Sequence, residues 1–183
     1  MAESPPIQTT RLLICPFGAE HLTDEYVGWL NDPVVVRYSE QRFHHHTLES
    51  CREYWHSFRG TDNYFWAIIE RHPLMRHIGT MTAYVQSHHR VADIGILVGD
   101  RRSWGRGYGL ESWNAVCRYL FDSPSNIRKI TAGTLACNKA MMSIMSRSGM
   151  VPDGRRVRQC LVDDTEVDIV YAALFRDVQE SLN

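Results

Sequence analysis

The chain has 183 residues, 20 basic against 21 acidic, a net charge of −1 and 44% apolar residues. That is the composition of an ordinary soluble globule, long enough for one domain with a substantial core, and the balanced charge excludes a non-specific nucleic-acid binder, which would show a basic excess. The acidic, proline-bearing start Met1–Pro6 is not a signal peptide, and no apolar run approaches the ~18 residues of a membrane span, so a non-membrane, cytoplasmic protein is expected.

Taken in order, residues 1 to 9 read as a loose tail. Arg11–Cys15 reads as a first strand stopped by Pro16. Glu20–Leu30 places Leu22, Tyr26, Val27, Trp29 and Leu30 near helical spacing, and Asn31-Asp32-Pro33 ends it. Val34–Tyr38 is a short helical piece or turn. Gln41–His46 is a polar loop with three adjacent histidines, His44, His45 and His46. Neighbouring side chains point apart and a metal wants spaced ligands, so a solvated loop is expected and no metal site. Thr47 is placed to cap a helix from Leu48 to about Phe58.

Asn63–Glu70, His77–Gln86 and Val91–Val98 predict three antiparallel strands joined by short turns, the first turn carrying Pro73. Leu110–Phe121 is an amphipathic helix ending near Pro124. Lys129–Cys137 alternates as a strand, expected parallel to Val91–Val98. Asn138–Ser148 is a short helix with Gly149 as its C-terminal cap. Arg155–Leu161 and Thr165–Phe175 form a hairpin over Asp163-Asp164. The five cysteines, at 15, 51, 117, 137 and 160, contain no CxxC and are odd in number, the pattern of reduced thiols. The order predicts a mixed α/β single domain spanning 1–183, core about 10–176, with a mostly antiparallel sheet.

The most informative stretch is Ala92–Phe121. A β-rich run, Ile94–Val98, passes through Asp100–Ser103 into Trp104-Gly105-Arg106-Gly107-Tyr108-Gly109 and straight on into a helix. Strand, glycine loop and helix together make an anion site. The glycines let backbone N–H groups approach a ligand, the helix N-terminus adds about half a positive charge, and Arg101, Arg102 and Arg106 add full ones. A phosphate or pyrophosphate is the natural guest. Neither GxGxxG nor GxxxxGK[ST] is present, so this is not a Rossmann or Walker loop.

On these residues the chain resembles the GNAT acyltransferase superfamily, whose [QR]-x-x-G-x-[GA] signature lies between the fourth strand and the third helix, and in particular its RimJ/RimL-like branch with WG[KR]GYG. The resemblance runs from about Thr10 to Arg176. It implies the acyl-CoA N-acyltransferase fold, with a splayed parallel strand pair flanked by helices. It also implies acetyl-CoA as co-substrate, its pyrophosphate on Trp104, Gly105, Arg106, Gly107, Tyr108 and Gly109. The thioester oxygen would lie against the backbone of Ile96, Leu97 and Val98, where a bulge splays the strand; bulges commonly re-aim groups at active sites. Trp104 departs from the usual Gln or Arg.

Transfer of an acetyl group to an amine needs a neutral amine, although a free alkylamine has a pKa around 10. Asp93, a lone acid in an apolar strand, is the leading general base, as at this place in many relatives; its bland role would be an ion pair with Arg90. Tyr84, His88 and His89 are fallbacks, and Glu111 is better suited to the helix dipole. Relatives often carry a tyrosine acid seven residues after an asparagine that touches CoA. Here the asparagine matches Asn138 and the seventh residue is Met145, which cannot donate a proton; Ser143, Ser146 or a water could, or the thiolate leaves unassisted. Acceptor contacts are expected among Trp29, Arg37, Tyr38, Glu40, Trp66, Tyr84 and the histidine loop, with Arg37 and Arg42 able to hold a phosphate or carboxylate.

The reading is an N-acetyltransferase that works by direct attack in a ternary complex. The acceptor would be a small amine, such as a nucleotide-linked amino sugar whose phosphate could meet Arg155, Arg156 and Arg158. A protein N-terminal α-amine is the alternative, and a non-catalytic CoA-binding module is the rival of another class. No nucleic-acid or membrane partner is expected, and the chain could pair as a homodimer.

Overall fold

In a computed structural model, described over residues 4–72 and 74–176, eight strands form one sheet in the order β1-β2-β3-β4-β5-β6-β8-β7. In chain order these are β1 (Ile7–Gln8), β2 (Leu12–Pro16), α1 (Asp24–Asn31), α2 (Leu48–His56), β3 (Tyr64–Glu70), β4 (Arg76–Gln86), β5 (Val91–Val98), α3 (Tyr108–Asp122), β6 (Lys129–Leu135), α4 (Lys139–Arg147), β7 (Val151–Val162) and β8 (Thr165–Phe175). Every neighbouring pair is antiparallel except β5 and β6. Among the described residues no helix is long and apolar enough to cross a membrane.

The expected helices form where their caps are. Thr23 accepts from the Tyr26 N–H at the start of α1, Thr47 from the Ser50 N–H at the start of α2 and Asn138 from the Met141 N–H at the start of α4. Three expectations change. The segment before Thr9 is not all loose: Ile7 and Gln8 pair with Ile14 and Leu13, and Ser4 is buried. Val34–Tyr38 takes the turn of its two expected forms, whereas the stretch expected as plain loop over Gln41–His46 begins in a 3-10 turn at Glu40–Phe43. The strand expected over Arg155–Leu161 begins earlier, at Val151. The turn residue Pro73 lies outside the described residues.

The sheet is covered on both faces, which removes the alternation from β3: all seven of its residues are buried, as expected of a strand packed on two sides. Tyr64, Trp66 and Ile68 point into a core built with α3 and α4. Phe65, Ala67 and Ile69 point into a second core built with α1 and α2. β5 divides in the same way, Ala92, Ile94 and Ile96 toward α3 and α4, Leu97 toward α1 and α2.

Two features shape the site. β5 and β6 pair at only three positions, Val91–Lys129, Ala92–Ile130 and Asp93–Thr131, and then part. The bulge expected on β5 is absent, since the β4–β5 register is unbroken from Gly79–Val98 to Gln86–Val91; the register shift sits instead between Ile68 and Ile69 on β3. The β7–β8 hairpin runs past the end of β6 and turns at Asp163 and Asp164, both at positive φ (49° and 59°), as a two-residue hairpin turn demands. Its tip comes back to the α1 side, where Arg37 bonds Asp163 at 2.9 Å.

Candidate active site

Two hydrogen bonds fix which backbone groups of β5 face the gap. Gly99 N–H donates to Ile78 O (3.0 Å), and Arg128 N–H donates to Arg90 O (2.8 Å). Backbone polarity alternates along a strand, so Asp93, Gly95 and Leu97 address β4, whereas Ile94, Ile96 and Val98 address β6. Beyond Asp93 there is no β6 partner, which leaves the N–H groups of Ile96 and Val98 lining a wedge. Leu97, grouped with Ile96 and Val98 from the sequence, is corrected here: its backbone belongs to the β4 ladder. The Val98 carbonyl is taken by Trp104, whose indole Nε1 donates to it at 2.7 Å.

The wedge opens on the glycine loop. Gly105 and Gly107 have φ of +71° and +82°, and Gly107 is the N-cap of α3 with no side-chain cap, so the first-turn N–H groups keep their hydrogen-bonding capacity. Gly109 sits between β5 and α4; a Cβ there would lie 3.0 Å from Ile144 Cδ1. The three arginines expected to add free charge are engaged with carboxylates. Arg101 is 3.7 Å from Asp32, Arg102 donates to Asp100 at 3.0 Å and Arg106 is ion-paired with Glu70 at 3.1 Å. Anion binding here falls to oriented backbone more than to bare guanidinium charge.

What holds the loop was not read from the sequence. Tyr108, inside the glycine motif, is buried and donates its hydroxyl to Glu70, the buried last residue of β3. Arg76, at the start of β4, bridges Glu70 and Asp100. Asp100 also accepts from Ser103 Oγ at 3.1 Å. Both ends of the 100–108 segment are thus tied to the β3–β4 corner. The Tyr108 hydroxyl and the Arg76 guanidinium hold the Glu70 carboxyl below its ordinary range. For Asp100 burial pushes upward, but its bonds to Arg102 and Ser103 prevail and its pKa is lowered. A buried acid, Glu70, closing an otherwise apolar strand was the available signal. At the helix start, Glu111 accepts from Thr9 (2.6 Å) and from Arg11 Nε (2.7 Å).

On the α1–α2 face, Asp93 stands opposite Tyr84 in the β4–β5 register. Its carboxylate accepts from Thr131 Oγ1 at 2.7 Å; the ion pair with Arg90 that would have been its alternative role does not form among the described contacts. Burial raises the Asp93 pKa, and the Thr131 hydroxyl opposes this. Tyr84 Oη lies 2.8 Å from Tyr54 Oη of α2. Tyr54 in turn lines a cavity of about 280 Å³ between α1, the 41–46 segment and α2. Two expected substrate contacts are corrected. Trp66 is fully buried on the opposite face, its indole donating to Ser4 Oγ at 2.8 Å. Trp29 is 7% exposed and packs on His77, ring centroids 4.9 Å apart. Arg37 and Tyr38 remain at the surface. Arg42 bonds Ser39 O at 2.9 Å and lies 3.4 Å from Glu40, so neither arginine is held in reserve for a phosphate. Arg155 and Arg158 are likewise paired, with Asp168 and Glu166. His88 and His89 are exposed in the β4–β5 turn, at the paired end of β5.

The sequence matches the family described as "Acetyltransferase (GNAT) domain" over residues 11–151. The chain belongs to the GNAT acetyltransferase family. Solved structures of the same fold include the ribosomal L7/L12 α-N-protein acetyltransferase RimL in complex with coenzyme A, with 14% identity over 94% of this chain and 99% of that one and a TM-score of 0.81. The ribosomal-protein-S5-alanine acetyltransferase of Vibrio fischeri has 13% identity over 96% and 98%, TM-score 0.80. The spermidine N-acetyltransferase of Vibrio cholerae, in complex with CoA and spermine, has 15% identity over 91% and 96%, TM-score 0.79. Among curated protein sequences there is no significant match.

The residues of this GNAT domain fit an acetyl-CoA. The uncapped N-terminus of α3 suits the pyrophosphate, and the unpaired edge of β5 suits an extended, amide-bearing arm. On α4, Asn138 donates to Thr134 Oγ1 at 3.1 Å besides capping the helix. Met145 is buried in the core under α4. Among the described residues no cluster of three His, Cys, Asp or Glu is arranged to hold a metal.

Proposed function

We propose that this GNAT domain transfers the acetyl group of acetyl-CoA to a small primary amine by direct attack in a ternary complex. Acetyl-CoA supplies the acetyl group as a thioester. The observation that carries the reading is the position of Asp93, at the last paired rung before β5 and β6 part, facing the side of the sheet that holds Tyr84, Tyr54 and the cavity.

In this reading the first turn of α3 holds the pyrophosphate through backbone N–H groups, and Ile96 N–H donates to the thioester oxygen as charge develops on it, the largest single effect in such chemistry. Asp93 takes the proton from the ammonium form of the acceptor, directly or through one water, so that the nitrogen lone pair can bond the acetyl carbon; as the carbon–sulfur bond breaks and the sulfur leaves as thiolate, the nitrogen gives its second proton to solvent and the amide remains. Asp93 is exposed at one side but partly desolvated by the atoms around it, and the raised pKa that results makes its carboxylate a better base near neutral pH. Met145 offers no proton to the departing sulfur. A thiol pKa near 8.5 makes thiolate an adequate leaving group without one.

The test is acetyl-CoA turnover, followed as free thiol release, over a panel of amines including a peptide N-terminus. Turnover on small amines that falls strongly in Asp93→Asn supports the reading. Preference for the peptide points to N-terminal acetylation, and CoA binding without turnover on any amine points to a non-catalytic module.

A further inference from the structure

Arg11 stands beside the glycine loop, on the turn between β1 and β2, and its backbone is fixed there. Arg71 N–H donates to Arg11 O at 2.9 Å, and the Arg71 side chain donates to Thr9 O at 3.0 Å. From this anchor the guanidinium reaches the loop in three ways. Nη1 donates to Arg106 O at 2.9 Å. Nε donates to Glu111 Oε2 at 2.7 Å, and Nη2 lies 2.6 Å from the same oxygen. Cζ lies 4.6 Å from the centre of the Tyr108 ring. Nη2 is also 3.5 Å from the place where a Cβ on Gly107 would stand.

The bond to Arg106 O decides which way one peptide faces. Glycines on either side of Arg106, both at positive φ, let the Arg106–Gly107 peptide turn over at little cost. A trans peptide is planar, with its C=O and N–H on opposite edges. With the carbonyl drawn to Arg11, the Gly107 N–H is turned to the other side of the loop, where it has no acceptor among the described residues. It thereby joins the N–H groups of the first turn of α3. Successive N–H groups around a residue at positive φ form a concavity for an anion. Turned over, the same peptide would set a carbonyl oxygen against the phosphate. The other arm of the fork meets a second obstacle, the acid in the first turn of α3. Burial pushes the Glu111 carboxyl up, but its bonds from Thr9 and Arg11 prevail and hold it below its ordinary range. Arg11 matches that charge and keeps it on the side of the helix facing the β1–β2 turn.

We propose that Arg11 is a positioning residue for acetyl-CoA: it fixes the Arg106–Gly107 peptide so that the Gly107 N–H faces the pyrophosphate. The inference rests on the proposed seat of the pyrophosphate at the start of α3 and deepens it. The guanidinium is committed to Arg106 O and Glu111, so Arg11 acts through the loop. The task needs a planar fork that serves a carbonyl and a carboxylate at once, which the single ammonium of a lysine does not supply.

The experiment is calorimetry of CoA with the wild type, Arg11→Met and the double variant Arg11→Met/Glu111→Gln. Beside it, turnover is measured with two donors, acetyl-CoA and S-acetyl-pantetheine, which carries the thioester arm without the pyrophosphate. Arg11→Met should weaken CoA binding and raise the KM for acetyl-CoA, each about tenfold, the loss expected with a hydrogen bond from a charged donor. Its kcat with acetyl-CoA and its kcat/KM with S-acetyl-pantetheine should fall by less than about twofold, since only binding through the pyrophosphate is lost. The double variant should bind CoA as weakly as Arg11→Met, because removing the carboxylate does not turn the peptide back. Affinity restored in the double variant would make charge matching the whole of Arg11's role and overturn the proposal. Equal losses with both donors would overturn it as well, as the mark of a general loss of structure, and so would unchanged CoA affinity in Arg11→Met. If Arg11→Met does not fold, Arg11→Lys replaces it: weaker CoA binding upholds the proposal and wild-type affinity overturns it. If no amine is acetylated, the calorimetry decides alone. Unchanged CoA affinity in Gly107→Asp is a separate failure, that of the pyrophosphate seat, and the proposal falls with it.

Discussion

Thr131 on β6 donates its hydroxyl to the carboxylate of Asp93 on β5 at 2.7 Å, at the last position where these two strands pair. One contact thus marks the apex of the wedge and opposes the pKa-raising effect of burial on the acid. If Asp93 is the base it must be ionised, so the rate falls as pH drops through its raised pKa. Thr131→Val should move the acidic limb of kcat/KM to higher pH. Asp93→Asn should lower the rate at pH 7 by roughly 10²–10⁴-fold and less at pH 9, where more amine is already neutral. Equal loss at both pH values would mark Asp93 as structural.

Gly107 caps α3 at φ +82° without a side chain of its own. Gly107→Asp places a carboxylate at the helix start where the pyrophosphate is proposed to sit, and strains the backbone. CoA affinity measured by calorimetry should fall by more than about tenfold, equivalent to about 1.4 kcal/mol. Unchanged affinity would remove the loop from the CoA site.

The Glu70–Tyr108 contact makes the loop sensitive to acid. The folded pKa of Glu70 is depressed, led by the Tyr108 bond. The stability it contributes is therefore complete above the ordinary glutamate pKa, about 4.3, and is lost as pH falls through the lower folded value. Glu70→Gln should flatten the dependence of Tm on pH below about 4.5, and Tyr108→Phe should cost roughly 1–3 kcal/mol. An unchanged acid limb in Glu70→Gln would show that the loop is anchored elsewhere.

His77 works in a neighbouring pH range. It is surrounded by Phe17, Tyr26, Trp29 and His21, the last with its ring centroid 5.2 Å away. Burial first, then His21, lowers its pKa from the usual 6.5 to about 4. For a base with a depressed folded pKa the unfolded chain takes up the proton first. Stability is therefore full above 6.5 and declines as pH falls toward 4. Urea unfolding of wild type and His77→Asn at pH 7 and pH 4.5 should show the wild type losing more between the two; equal losses would contradict this.

Met145 is buried under α4, at the position where relatives often have a tyrosine. Met145→Tyr should fold with a loss of roughly 1–3 kcal/mol from overpacking and could raise turnover. If wild-type kcat shows a basic limb that belongs neither to the acceptor nor to CoA, some other residue is the acid and this account of Met145 is wrong.

The sequence alone determined what local chemistry controls. The capping threonines and asparagine start their helices, the glycines of residues 105–109 demand a loop at positive φ before α3, and Asp163-Asp164 turns the last hairpin. Each depends on neighbours within a few residues. Tertiary structure decided which face a residue takes and which residue distant in sequence it meets. Trp66 and Phe65 look alike in the sequence, yet in a strand buried on both sides one enters the α3 core and the other the α2 core. Trp29 looked like a substrate contact until His77 was found against it. The network of Glu70, Arg76, Asp100 and Tyr108 joins β3, β4 and the glycine loop. No local rule pairs residues some thirty positions apart; the register of the sheet does, and the parting of β5 from β6 after Asp93 sets where the wedge begins.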